Sequence, residues 1–204
     1  MQIDKESVTE TVKRKISKTQ KDWIDFFNSK GKKMISAPDI YSIAKEGNKK
    51  LLKSLAKDCD EHWVVTSTRI VYSKENLEAE IIHDADSTVV SQTSTKLIIP
   101  FLDEQAVNSL ETEKYLQALF GTTESFDEIV KTLKSFNEEK KLYLWTPTQE
   151  SRATRPVRSV GLFFNGLGFL VDGSNWVDGD NGFSRGVTID SAPKEQTKVT
   201  EEQK

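Results

Sequence analysis

Twenty-three lysines and six arginines carry the positive charge of this chain, yet from Leu142 to Pro193 there is no lysine and there are four arginines: Arg152, Arg155, Arg158 and Arg185. Together with Arg69 these are the side chains whose type and spacing suit the binding of an anion. A guanidinium is a planar, permanently charged fork, less strongly hydrated than an ammonium, and it matches carboxylate and phosphate oxygens two at a time. If Val157–Phe164 alternates as a strand, Arg158 shares a face with Val160, Leu162 and Phe164. By the same rule Arg185 lies with Val187 and Ile189, and Arg69 with Trp63, Val65 and Val71. A charge on an apolar face must find a hydrogen-bonded anion, because its desolvation costs several kcal/mol. That anion is either a ligand or an internal carboxylate. If residues 73–76 form a four-residue loop, Arg69 falls opposite Glu80, while Asp172, Asp178 and Asp180 lie near enough in sequence to serve Arg158 or Arg185.

The second group is His83, Asp84 and Asp86, with His62, Cys59 and Asp60 earlier. The same four-residue turn sets His62 opposite Ser87 and beside Asp86. An imidazole among carboxylates suits a divalent cation or a general base. Aspartates here equally well open a turn through their own backbone hydrogen bonds. No His-Glu-x-x-His or paired-cysteine spacing accompanies them. Cys59 with His62 is a weaker nucleophile pair, because a lone cysteine is most often a small buried hydrophobe. Asp178-Gly179-Asp180-Asn181-Gly182 lacks the spacing of an EF-hand and reads as a glycine-rich turn. The phosphate loop, the nucleophile elbow and the dinucleotide fingerprint are absent, and the sequence leaves any cofactor unknown.

The elements that must hold these groups follow from periodicity. Residues 7–28 read as a helix, with Val8, Val12 and Ile16 leading to Trp23, Ile24, Phe26 and Phe27 and Gly31 as its stop. A second helix opens at Ser36 or Ala37, with Pro38 in its first turn, and runs to Leu55; Gly47-Asn48 in its middle allows two shorter helices. At His62 the period changes to two. His62–Tyr72, Leu77–His83 and Ser87–Ile99 form a meander ended by Pro100. Helices are expected over Asp103–Phe120 and from Ser125 through Phe136. Leu142–Trp145 starts a second β region, followed by a polar loop, TPTQESRATRP, over 146–156. Val160–Phe164 and Leu167–Val171 then flank Asn165-Gly166, the pair favoured in a two-residue type I′ hairpin. That hairpin is apolar on both faces, so it is expected to be central in a sheet or covered on both sides.

The fold class is α+β, with antiparallel sheet built from two β blocks, each preceded by a helical pair. Residues 1–190 form one domain, of which 1–60 is helical and 61–190 β-rich with helices at 103–139. Residues 191–204 are too polar to pack and are expected to be disordered. Charge is uneven: +5 over residues 1–60 and −7 over 61–141, within a net −3. An acidic chain without a concentrated basic face suits nucleic acid less well than an anionic small molecule or a protein partner. No apolar run approaches the ~20 residues of a membrane helix, and the N-terminus lacks an apolar leader, so a cytoplasmic protein is expected. The functional expectation is a non-enzymatic binding or assembly protein that recognises an anionic ligand or partner surface through Arg69, Arg152, Arg155, Arg158 and Arg185. The alternative is a metal-assisted hydrolase on a phosphate-containing substrate, drawing on His83, Asp84, Asp86 and His62.

Overall fold

Helix starts in this chain are set by short polar side chains that take up the unpaired amides of a first turn. Thr19 and Ser36 do so in reciprocal capping boxes with Asp22 and Asp39, opening α1 (Gln20–Asn28) and α2 (Ala37–Glu46). Asn48 caps α3 (Lys49–Glu61), and Ser109 caps α4 (Leu110–Phe120). These helices, with α5 (Phe126–Leu133) and α6 (Gln149–Thr154), belong to a computed structural model that describes residues 18–136, 141–164, 168–179 and 182–189.

The strands are β1 (Lys33–Met34), β2 (Trp63–Tyr72), β3 (Glu78–His83), β4 (Thr93–Ile98), β5 (Asp103–Gln105), β6 (Lys141–Trp145), β7 (Val157–Phe164), β8 (Gly168–Trp176), β9 (Gly182–Phe183) and β10 (Gly186–Val187). The main sheet runs β4-β3-β2-β7-β8-β6-β5, with β9 alongside β2; β1 and β10 form a separate antiparallel pair. The architecture is α+β and mostly antiparallel, with parallel pairing at β6–β8 and β2–β9. The two β blocks are one sheet, joined where β2 meets β7. As its doubly apolar sequence requires, the β7–β8 pair lies inside that sheet.

At β2 both faces of the sheet are covered, as adjacent residues show. Val64 joins the large core with Ile43, Leu55, Leu116, Leu119 and Ile129 from α2–α5, whereas Val65 packs with Trp23, Ile24 and Phe27 of α1. Trp23 is stacked on Phe27, and its indole N–H donates to the Gly182 carbonyl at 2.9 Å, which ties α1 to β9.

Several expectations change. The helix expected from residue 7 is a helix from Gln20: Lys18 bridges to Gly182 and Thr19 is the cap. The long second helix is two, because Gly47 takes the left-handed conformation (φ 67°) and Asn48 restarts the chain. Asp103–Gln105 is a strand on β6, and α4 begins only at Leu110; Val107 and Leu110 are exposed, so the apolar face of α4 starts further along the chain. The third strand is shortened to Thr93–Ile98, since the Ser87 hydroxyl accepts the Val89 and Val90 amides in a local turn. The polar loop after β6 contains α6. Tyr72 pairs with Ala79, two residues later than a four-residue loop allows, so Arg69 faces Ile82 and Glu80 faces Val71. Phe164 pairs with Phe169, also two residues beyond the register of a two-residue turn. Residues 7–17, the Asn165-Gly166 turn itself and the tail at 191–204 lie outside the described residues.

Gly168 marks the tightest approach at the parallel β6–β8 seam. A Cβ there would run into the Lys141 carbonyl and come within 2.8 Å of the Tyr143 ring. Backbone cannot yield as a flexible side chain does. Gly168→Ala is expected to lower stability by about 1–3 kcal/mol, the usual cost of overpacking, measured as the shift of a denaturant midpoint at unchanged slope.

Candidate functional site

Internal carboxylates hold Arg185 and Arg69 at close range. Arg185, just before β10, is buried and binds the Asp58 carboxylate near the end of α3 through both Nε and Nη2; Nη2 also donates to the Ser54 hydroxyl at 2.8 Å. Asp58 thus does what the nearer Asp172, Asp178 and Asp180 were expected to do. Burial pushes its carboxyl above the ordinary carboxylate value, and the Arg185 charge pulls it back. Arg69 donates to Asp86 at 2.8 Å and to the Gln20 amide oxygen at 3.1 Å, on the α1 side of the sheet.

Arg152 and Arg158 are different. Arg152 projects from α6 into the interior with 0% exposure, and carbonyls are its hydrogen-bond partners: Pro147 at 2.9 Å, Ile99 at 3.0 Å and Pro100 at 3.2 Å. The guanidinium lies over the Tyr72 ring at 4.5 Å and the Phe101 ring at 4.6 Å, which supplies aromatic faces where a carboxylate would otherwise stand. Arg158, on β7 at 2% exposure, donates to the Ser174 carbonyl at 3.2 Å and to the Ser151 carbonyl and hydroxyl at 3.1 and 2.6 Å. Its Nε has no partner among the described residues, and neither has the buried Tyr115 hydroxyl. Burial pulls both guanidiniums below their usual value. The carboxylate that acts most strongly on Arg158 is Asp172, whose Oδ1 is already taken by the Ser174 amide at 2.7 Å and hydroxyl at 2.6 Å. Desolvation raises the Asp172 carboxyl, and the two Ser174 bonds and Arg158 oppose it.

These two residues fasten α6 from beneath. Arg152 ties it to the β4–β5 connection, and Arg158 ties it to β8. Arg155 lies midway between them in sequence, at the C-cap of the same helix, and points outward. Its guanidinium stacks over Trp176 at 4.2 Å and reaches Asp178 at 3.4 Å. The side chain of Arg155 is 50% exposed, and Trp176 is 53% exposed. Of the five arginines, Arg155 alone combines wide exposure with an exposed aromatic partner. Trp176 was not foreseen from sequence: it stands opposite Arg158 in the β7–β8 register at the strand end, where an inward parity no longer means burial.

The histidine and aspartate candidates are not brought together. His83 is buried, with Nδ1 3.1 Å from the Thr68 hydroxyl and Nε2 2.9 Å from the Ala118 carbonyl. A carbonyl only accepts, so Nε2–H donates to Ala118 and Nδ1 of the neutral ring accepts from the Thr68 hydroxyl, which in turn accepts the Ala37 amide. Burial lowers the His83 pKa. Asp84 binds Lys33 at 2.9 Å, Asp86 binds Arg69, and His62 stacks on Phe183 at 5.3 Å instead of standing opposite Ser87. Cys59 is buried, and burial raises its thiol well above the ordinary value. Among the described residues no three His, Cys, Asp or Glu side chains are grouped to hold a metal ion. A buried ammonium was also missed: Lys33 lies between Asp39 at 2.8 Å and Asp84 at 2.9 Å. In the sequence it looks like one of a run of lysines after a helix, and only the Ser36–Asp39 capping box that follows hints at an acid nearby.

Two outcomes test this description. Arg185→Ala leaves Asp58 buried and unpaired and is expected to cost about 3–5 kcal/mol, read from chemical denaturation. Asp172 has a folded-state pKa raised above the unfolded one, so its contribution to stability is greatest below the unfolded pKa and is lost as pH rises through the folded pKa. Asp172→Asn, which removes the charge, is therefore expected to melt higher than wild type at pH 7. That gap should close as pH falls below about 4, where the wild-type carboxyl is protonated in both states. An unchanged gap across that range would contradict it.

The chain matches no protein-family model, and no match to it is found among curated proteins or among solved structures.

Proposed function

We propose that this protein is a non-enzymatic binding protein that recognises an anionic ligand or acidic partner surface through Arg155 and Trp176, with Arg152 and Arg158 as positioning residues. The observation that carries this reading is the arrangement about α6: two buried guanidiniums anchor the helix, and a third is held out of it on an exposed indole face. Stacking fixes the plane of the Arg155 fork, which leaves its edge to meet carboxylate or phosphate oxygens with little rotamer entropy still to lose. Arginine and tryptophan are the side chains that most often dominate binding surfaces. Asp178 at 3.4 Å is a loose, exposed contact that an incoming anion could replace. Arg69 and Arg185 serve the fold with their own carboxylates. The metal-assisted hydrolase reading gains no support, because the His83 nitrogens are engaged within the protein and Asp84 and Asp86 are bound to Lys33 and Arg69.

The test is titration of inorganic phosphate and of a glutamate-rich peptide, followed by indole fluorescence and calorimetry. Arg155→Ala is expected to weaken the preferred anion by tenfold or more, a loss of about 1.4 kcal/mol or above, with an unchanged melting temperature. Trp176→Ala should weaken it as well, and Arg155→Lys should fall between. The peptide and phosphate arms separate an acidic protein surface from a free phosphate ligand. Equal binding by wild type and Arg155→Ala, or no binding of either anion, overturns the reading.

A further inference from the structure

We propose that the free edge of β4 is a strand-addition site for an extended, acidic peptide of a partner protein. β4 ends the main sheet and pairs only with β3 among the described residues, so the backbone N–H and C=O groups along its other side have no strand partner. Edge strands are normally blunted by brevity, proline, bulges or outward charges. β4 has few of these defences. It pairs without a register break over all six residues from Thr93 to Ile98, contains no proline, and sets its one lysine, Lys96, opposite Glu80 of β3. Five of its six residues are exposed.

The edge also borders a groove. Thr93, Thr95 and Leu97, the alternate residues on one face of β4, form one wall, and Lys114, Gln117 and Ala118 of α4 form the other. A strand added to β4 would send every second side chain into this groove, while its backbone completes the ladder; this is the geometry by which sheet edges take up peptides. His83 borders the groove, with its ring held by Thr68 and the Ala118 carbonyl. Lys114 is the groove's one permanently charged side chain, and it makes no ion pair among the described residues. The complementary occupant is therefore an extended segment with a carboxylate at an inward position. This site is separate from the Arg155–Trp176 reading and does not rest on it.

The experiment follows backbone amide exchange of Thr93–Ile98 by NMR in the full chain, titrated with a synthetic peptide of about ten residues alternating valine and glutamate, long enough to span the strand. Exchange of those amides among them that point away from β3 should slow roughly tenfold, and the effect should vanish when alternate peptide nitrogens are methylated. Lys114→Glu, a surface change outside the Arg155 site, should weaken the protection of β4, while Arg155→Ala should leave that protection unchanged. The proposal is overturned if the peptide slows no exchange, if a valine–lysine peptide acts equally, or if Lys114→Glu has no effect. Protection that grows with protein concentration in the absence of peptide would identify a second copy as the occupant. Protection at every dilution would mean that the chain already covers its own edge. Either result also overturns it.

Discussion

The burial of guanidinium charge is the constraint on which the arrangement of this chain depends. Arg152, Arg158 and Arg185 lie inside, and each ion taken from water costs several kcal/mol unless hydrogen bonds and opposite charge replace its hydration. The chain meets that requirement in two ways. Arg185 has a carboxylate, Asp58, which couples the segment before β10 to α3. Arg152 has three carbonyls and two aromatic faces. Carbonyl partners are directional, so they fix the backbone that carries them. The segment at Ile99–Pro100, the turn at Pro147 and the first turn of α6 are set relative to one another by one side chain.

The same requirement explains why lysine is missing from this part of the chain. A single ammonium has no planar fork and could not address three carbonyls on two separate segments while packing against two rings. Where an ammonium is buried, at Lys33, the surroundings differ: two carboxylates converge on a point charge, one of them from the N-terminal capping box of α2. The Asp84 backbone there is left-handed, at φ 53°, although it is not glycine. Such a conformation is sparsely populated for other residues, and the Lys33 contact helps to hold it.

Local signals were the ones legible in sequence. Capping residues, the period change at His62 and the two-faced apolar character of β7 and β8 follow from neighbours a few residues apart, and the α+β class follows from them. Pairings between distant segments were not legible. Arg185 meets Asp58 across 127 positions, and no local rule selects that aspartate over Asp172, Asp178 or Asp180. The register of β2 with β3 moved by two residues, which preserves every side chain's face but changes every partner. For this reason Arg69 kept its expected side of the sheet and lost Glu80. The arginine enrichment correctly marked fixed charge, but only contacts distinguish arginines that hold the fold from one that faces outward.

That distinction gives the 152–158 segment its meaning. A helix of six residues has little stability of its own, since a first turn fixes several torsions for one hydrogen bond. α6 is held because Arg152 reaches from it to Pro147, Ile99 and Pro100, Arg158 reaches to it at Ser151, and Thr148 caps its start. A residue at the C-cap of a free peptide helix would sample many orientations. Here the Arg155 backbone is set by two buried neighbours, and its side chain by the Trp176 ring. Desolvation of the inner pair is thus offset within the fold, and its consequence at the surface is a charge whose position is determined before any ligand arrives. Under the reading proposed above, affinity at Arg155 depends less on new contacts than on entropy already lost during folding.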